Sequence, residues 1–177
     1  MDPKLTFELA TLVHAKAIEQ MRHLASEDLQ RKLGPGHWSG RSRLASIRER
    51  IKLADPEQLR SKTLYVALSN DLAVGSVGVG TAAPGFWRRS YWKNPKARAL
   101  GVFDLVVAPE FQGRGIGRYL MERTEVLAKE HGLEYVRLDA FASNPYSTAF
   151  YRRIEFDERA TIDVRGCGLI LFEKYVS

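Results

Sequence analysis

Six residues, Gln112-Gly113-Arg114-Gly115-Ile116-Gly117, constrain this chain more than any other segment. They join an apolar run of strand length, Leu100 to Val107, to an amphipathic stretch carrying Ile116, Tyr119, Leu120 and Leu127 at helical spacing. Three glycines let a ligand approach the backbone without Cβ collisions, and the N–H groups of a helix's first turn have no partners inside the helix. Such a loop is an anion cradle, suited above all to a phosphate or pyrophosphate. Its bland alternative is a tight strand-to-helix turn with no ligand.

The usual nucleotide motifs do not fit. A dinucleotide fingerprint needs Gly-x-Gly-x-x-Gly, but counting from Gly113 the last position is Arg118, and counting from Gly115 the phase fails too. A P-loop needs Gly-Lys followed by Ser or Thr, and the chain contains no Gly-Lys pair.

Around this loop the chain alternates strands and helices. Lys4 to Ala10 reads as a strand. Val13, Ala17, Ile18, Met21 and Leu24 mark a helix, and Leu44, Ile47, Ile51 and Ala54 mark a second one, with Ser42 as its cap and Asp55-Pro56 as its end. Arg41, Arg43, Arg48, Arg50 and Lys52 crowd the other faces of that second helix. Leu64–Leu68 and Leu72–Val79 form a hairpin across Asn70-Asp71. A long basic and aromatic loop follows, from Thr81 to Ala99, and loops of that length are usually functional or mobile. After the strand and the glycine loop, the third helix ends at His131-Gly132. Tyr135–Leu138 is a strand, Pro145–Arg153 a short helix, and Phe156 to Tyr175 a hairpin around Arg165-Gly166. Strands first, then β-α-β-α-β-β, argue for one α/β domain over residues 1–177 with a mixed sheet.

Lys and Arg number 27 against 21 Asp and Glu, a net charge of +6, which favours an anionic partner. The single cysteine, Cys167, and the scattered His14, His23, His37 and His131 offer no zinc-ligand spacing, so no metal is expected. No signal pattern or apolar run long enough to span a bilayer stands out, so the expected setting is cytoplasmic and reducing, with no membrane partner.

The segment Val107-Ala-Pro-Glu-Phe111-Gln112-Gly-Arg-Gly115-Ile-Gly117 resembles the Gln/Arg-x-x-Gly-x-Gly/Ala signature of the GCN5-related N-acetyltransferases. The resemblance continues through Leu138-Asp139-Ala-Phe-Ala-Ser143-Asn144 and Ala149-Phe150-Tyr151 to Phe156. It implies the GNAT fold: a mixed sheet of six or seven strands flanked by about four helices, the fourth and fifth strands splaying apart. It further implies acetyl-coenzyme A as cosubstrate, its pyrophosphate on the N–H groups of Gln112, Gly113, Arg114, Gly115, Ile116 and Gly117. The pantetheine arm would lie along Leu105, Val106 and Val107, with Asn144 holding the loop before the fourth helix, helped by Ser143. A backbone N–H near Val107, at a bulge in the fourth strand, would polarise the thioester carbonyl. Arg114 and Arg118 add positive charge near the phosphates. One departure is Glu155-Phe156, where the family usually has Gly-Phe; a glutamate there resists a left-handed turn.

Acetyl transfer to an amine needs a free amine, stabilisation of the oxyanion and a proton for the departing thiolate. Tyr151, seven residues after Asn144, matches the family tyrosine beside the sulfur and is the expected acid. Asp139, five residues before Asn144, matches the glutamate base of the ribosomal-protein N-terminal acetyltransferases and, being shorter, would act through water. Enzymes of the family that modify histone lysines carry their glutamate at a position that falls near Gly101 here; Asp104 is the second candidate.

The expected reaction is direct attack of a primary amine in a ternary complex, the acceptor being a small amine or an amino-acid-like molecule. A cationic peptide would meet the arginines as like charges. A protein α-amine remains an alternative acceptor, and a homodimer stays open. Phe86 to Arg98, basic and aromatic, also suits a nucleic-acid-binding module, the less favoured reading, and a fold that keeps the cofactor but not catalysis is the third.

Overall fold

Seven strands build one sheet in a computed structural model that describes residues 5–40 and 42–176: β1 (Leu5–Leu9), β2 (Thr63–Ser69), β3 (Leu72–Gly80), β4 (Ala99–Val107), β5 (Tyr135–Phe141), β6 (Asp157–Val164) and β7 (Cys167–Tyr175). Lys4 and Arg41 of the sequence reading lie outside the described residues. The strand order is β1-β2-β3-β4-β5-β7-β6, and every neighbouring pair is antiparallel except β4 and β5. A parallel pair needs a crossover, which α3 (Ile116–Glu130) supplies.

α1 (Ala15–Leu33) and α2 (Leu44–Lys52) cover one face, where Ile18, Met21 and Ile47 pack on Leu64, Val66 and Leu68. α3 and α4 (Pro145–Arg153) cover the other, with Leu120, Met121 and Tyr151 among Val77, Val79, Leu138 and Phe172. Both faces of β2 are thus covered, and all six residues from Thr63 to Leu68 are buried. Each fully buried Leu, Ile or Phe contributes about 1.5–3 kcal/mol, so these layers dominate the energetics.

Local chemistry explains most boundaries. Asn70 and Asp71 have φ of 49° and 66°, the left-handed pair that a two-residue hairpin turn requires. α1 runs nine residues beyond Leu24, because Asp28 pairs with Arg31 and Lys32, both at 2.6 Å, along its polar face, and it stops at Gly34 with φ 80°. The cap expected from Ser42 comes instead from α1: Leu44 N–H donates to the Glu19 carboxylate at 3.0 Å. α3 and α4 close with the same motif. The Leu133 and Phe156 amides reach back to the Ala128 and Tyr151 carbonyls, around Gly132 (φ 63°) in one case and Glu155 (φ 65°) in the other. Glu155 therefore does adopt the left-handed conformation that its side chain disfavours.

Two irregularities position the site. β4 pairs with β5 only from Ala99 to Gly101, after which the strands splay. On its other edge, Phe103 pairs with Gly78 and Val106 with Ser76, so β4 has one extra residue, and Asp104 sits there with φ 55°. The bulge is thus at Asp104-Leu105, earlier than expected, and Val107 is back in register opposite Gly75.

Candidate active site

Where β4 and β5 part, a cleft of about 500 Å³ opens. Leu105, Val106 and Val107 line it from β4; Gln112, Gly113, Gly115, Ile116, Gly117 and Arg118 from the glycine loop and the start of α3; Asn144 and Tyr151 from the β5–α4 side. Ten of the eleven expected cofactor-contact residues are therefore gathered in one place; Arg114 is the exception, turned over the Phe111 ring at 5.4 Å. A larger cleft of about 730 Å³ lies under the basic loop beside Arg60, Arg89, Lys96 and Arg98, but none of the glycine-loop residues lines it.

The loop's shape follows from two glycines. Gly113 and Gly115 have φ of 75° and 81°, and a Cβ at either would touch nothing within 4 Å, so conformation, not space, demands glycine there. The ladder of α3 begins at Tyr119, whose N–H donates to the Gly115 carbonyl at 2.9 Å. The amides just before it are the helix's orphan donors, at its positive end. Gln112 differs from expectation: its backbone N–H donates to Pro109 O at 3.2 Å and its side chain to Val107 O at 3.1 Å, so it braces the loop against β4.

Sequence reasoning missed the contribution of α1. Ala25, Leu29 and Lys32, at i, i+4 and i+7, line the cleft, and Lys32 also lies 5.5 Å over the Tyr146 ring. Helical spacing was the available signal, but the apolar pattern ends before this turn. Ser143 is exposed and does not line the cleft; Ser147, one turn into α4, does. Asn144 caps α4 by accepting from the Tyr146 and Ser147 amides at 3.1 and 3.3 Å.

Tyr151 is buried, and that burial, with the nearby Asp139 charge, pushes its phenol well above the ordinary value. Half-buried Asp139 accepts the Trp87 indole N–H at 2.8 Å. Burial pushes its carboxyl up, and Asp104 adds to this, against the pull of Trp87 and Lys62. Asp104 shows the opposite balance: the partial loss of solvent at its half-exposed side chain would raise it, but Arg22, Arg50 and Lys62 outweigh this and hold it below the usual carboxylate range. A Cβ at Gly101 would lie 2.8 Å from the Phe103 ring and 3.0 Å from Gly80 O, so no side chain fits there.

The basic loop is anchored rather than free. Trp87 and Trp92 are 6% and 5% exposed, and Trp87 stacks on Phe103 with centroids 5.7 Å apart, so both rings pack inward, where they line the larger cleft. Glu173, 1% exposed, accepts the Lys93 N–H at 2.7 Å and pairs with Arg137 and Arg159 at 3.3 and 3.0 Å. On the far side of the splay, His37 stacks on Phe141 with centroids 5.4 Å apart. Among the described residues no helix is long and apolar enough to cross a membrane.

Comparison with known proteins agrees with this geometry. Residues 18–156 match the model of a family described as the acetyltransferase (GNAT) family. An uncharacterized N-acetyltransferase of Methanocaldococcus jannaschii is 31% identical over 67 residues, 38% of this chain; the match spans only 30% of that relative's length. The fold superposes on an N-acetyltransferase of Staphylococcus aureus Mu50 with a TM-score of 0.72 at 17% identity, covering 98% of this chain and 99% of that one. The PaiA N-acetyltransferase of Thermoplasma acidophilum, solved in complex with coenzyme A, gives 0.68 at 16% identity, covering 97% and 99%.

Proposed function

The chain belongs to the acetyltransferase (GNAT) family, and from that premise we propose that it transfers an acetyl group from acetyl-coenzyme A to the primary amine of a small, amino-acid-like acceptor. The observation that carries the reading is the cleft at the β4–β5 splay, with orphan helix amides at one end and the Tyr151 phenol lining it; Asp139 does not line the cleft itself but lies close enough for its charge to act on that phenol. When bound, acetyl-coenzyme A supplies a reactive thioester and a pyrophosphate. The amides around Gly113 to Gly117, with Arg118 and Lys32, suit the anion. The edge of β4 that β5 leaves free, Leu105 to Val107, suits an amide-bearing arm.

Asp139 is the proposed base. A carboxyl raised by burial is a better proton acceptor than an ordinary one, and a water relay spans the methylene it lacks relative to glutamate. Asp104, held down by Arg22, Arg50 and Lys62, is the poorer base, which favours Asp139. Tyr151 is the proposed acid: its raised phenol keeps its proton and can donate it to the departing sulfur. The amine gives up one proton to Asp139, the new N–C bond forms as the C–S bond breaks, and the thiolate takes its proton from Tyr151. Direct attack suits this chain, since its one cysteine, Cys167 at the start of β7, does not line the cleft and could not take the acetyl group there.

The test is thiol release from acetyl-coenzyme A across an amine panel that includes amino acids, simple alkylamines and a short peptide with a free α-amine. Saturable turnover with at least one small amine is expected, and Tyr151→Phe should lower kcat by about 10²-fold without changing coenzyme A affinity. If acetyl-coenzyme A does not bind saturably, the reading is wrong.

A further inference from the structure

Beside the splay, two arginines from different helices converge on one carboxylate. Arg50 Nη1 lies 2.7 Å and Arg22 Nη2 3.7 Å from Asp104 Oδ2, at the β4 bulge. Arg22 lies at i−3 and i−7 from Ala25 and Leu29, which line the cleft, and so extends their stripe of α1 past the cleft's edge towards the bulge. Arg50 crosses from α2 over Gly78, where a Cβ would stand 2.8 Å from its Nη2.

One carboxylate does not satisfy this pair. Six buried side-chain polar atoms lack a hydrogen-bond partner among the described residues, and five of them belong here: Nε and Nη2 of Arg22, Nε and Nη2 of Arg50, and Oγ of Ser76. The sixth, Arg159 Nε, faces Glu173 at 3.0 Å. Ser76 shares the face of β3 that Gly78 presents to Arg50. Buried donors left unmade are costly, and charged ones more so, which marks the cluster as incomplete rather than merely structural.

The charge count agrees. Arg22, Arg50 and Lys62 bring three positive charges to Asp104 and Asp139, which bring two negative, and the surplus matches one monoanion. A guanidinium fork suits a planar carboxylate, which it binds with two parallel hydrogen bonds. Asp104 is 43% exposed and already shows a carboxylate of this size on the pair.

We infer that the acceptor carries a carboxylate beside its amine, received by Arg22 and Arg50 while the amine faces Asp139. This rests on the acetyl-transfer reading above and assigns its acceptor class.

The experiment compares amino acids, each as free acid, amide and decarboxylated amine, with aminoalkyl phosphates and a peptide amide alongside, in the thiol-release assay. The free acids are expected to exceed their matched amides in kcat/KM by at least about tenfold. Arg22→Gln and, separately, Arg50→Gln should bring that ratio towards one, with coenzyme A affinity by calorimetry confirming a folded protein. Equal turnover of acid and amide, a preference for the phosphates or the peptide, or a ratio that survives in both variants overturns the assignment. If one variant fails to fold, the wild-type ratio and the other variant still decide. If no amine is acetylated, or acetyl-coenzyme A does not bind, it is the underlying activity that fails.

Discussion

The two ends of the proposed site are made of different material, and only the glycine-loop end lines the cleft itself. At the glycine loop the groups on offer are backbone amides from consecutive residues, shaped by Gly113 and Gly115. At the bulge they are side chains from α1, α2, β3, β4 and β5, set by ion pairs and by tryptophan packing. Under the proposed activity, backbone would serve the ligand part that never changes, because an amide donor is the same whatever the residue. Side chains would serve the part that distinguishes one acceptor from another, because their charge and reach can be altered singly.

The sharpest way to break this contrast is Asp139→Asn. As the base, its loss should lower kcat by about 10²- to 10⁴-fold and remove the acid limb of the kcat/KM profile, with coenzyme A affinity unchanged. Stability should move the other way. Asp139 has a folded pKa above its unfolded one, so its ionisation opposes folding progressively as pH rises from the ordinary carboxylate range, and in full above the folded value. The variant should therefore be more stable than wild type at neutral pH, the gap closing as pH falls through that raised value towards the ordinary carboxylate range. Urea melts at several pH values read this directly, and a stability loss at neutral pH would contradict the buried-carboxyl account.

Next is Glu173→Gln, which leaves Arg137 and Arg159 facing a neutral group. Breaking a buried pair of this kind costs about 3–5 kcal/mol, measurable by urea unfolding. Because Glu173 also holds the Lys93 amide, the acceptor end should suffer more than the glycine loop: KM for the amine should rise before coenzyme A affinity falls.

Gly115→Ala probes the other end. A left-handed alanine costs about 1–2 kcal/mol with no clash to relieve, expected as weaker coenzyme A binding or lower stability, with the acceptor KM unmoved. A change confined to the acceptor KM would show that the ends are not separable. The smallest effect is Glu155→Gly, which should add about 1 kcal/mol of stability by relieving the left-handed cap of α4. Activity should be unaltered, since Glu155 does not line the cleft.

The part of the site legible in the sequence is the part that is local. Val107 to Gly117 announces strand, loop and helix through spacing and glycine, and Asn144-Pro145 announces the start of α4 through capping and a proline in the first turn. The role of Trp87 was not legible: it looked like half of a nucleic-acid platform, and only its distance to Asp139 shows it packed inward on a carboxyl 52 residues away. Glu19 capping α2 across 25 residues is a case of the same kind. Asp104 is subtler, because a bulge is a property of two strands in register and cannot appear in one.

Taken alone, the sequence determined the α/β alternation, the glycine loop that opens α3 and the family, because periodicity, glycine and helix-end chemistry act over a few neighbouring residues. The tertiary structure decided which carboxylate has its pKa raised and which is clamped by arginines, and that Arg22 and Arg50 meet there with donors left unpaired. Burial and Coulomb forces depend on distance through space, and residues 22, 50, 104 and 139 become neighbours only when the sheet is covered on both faces.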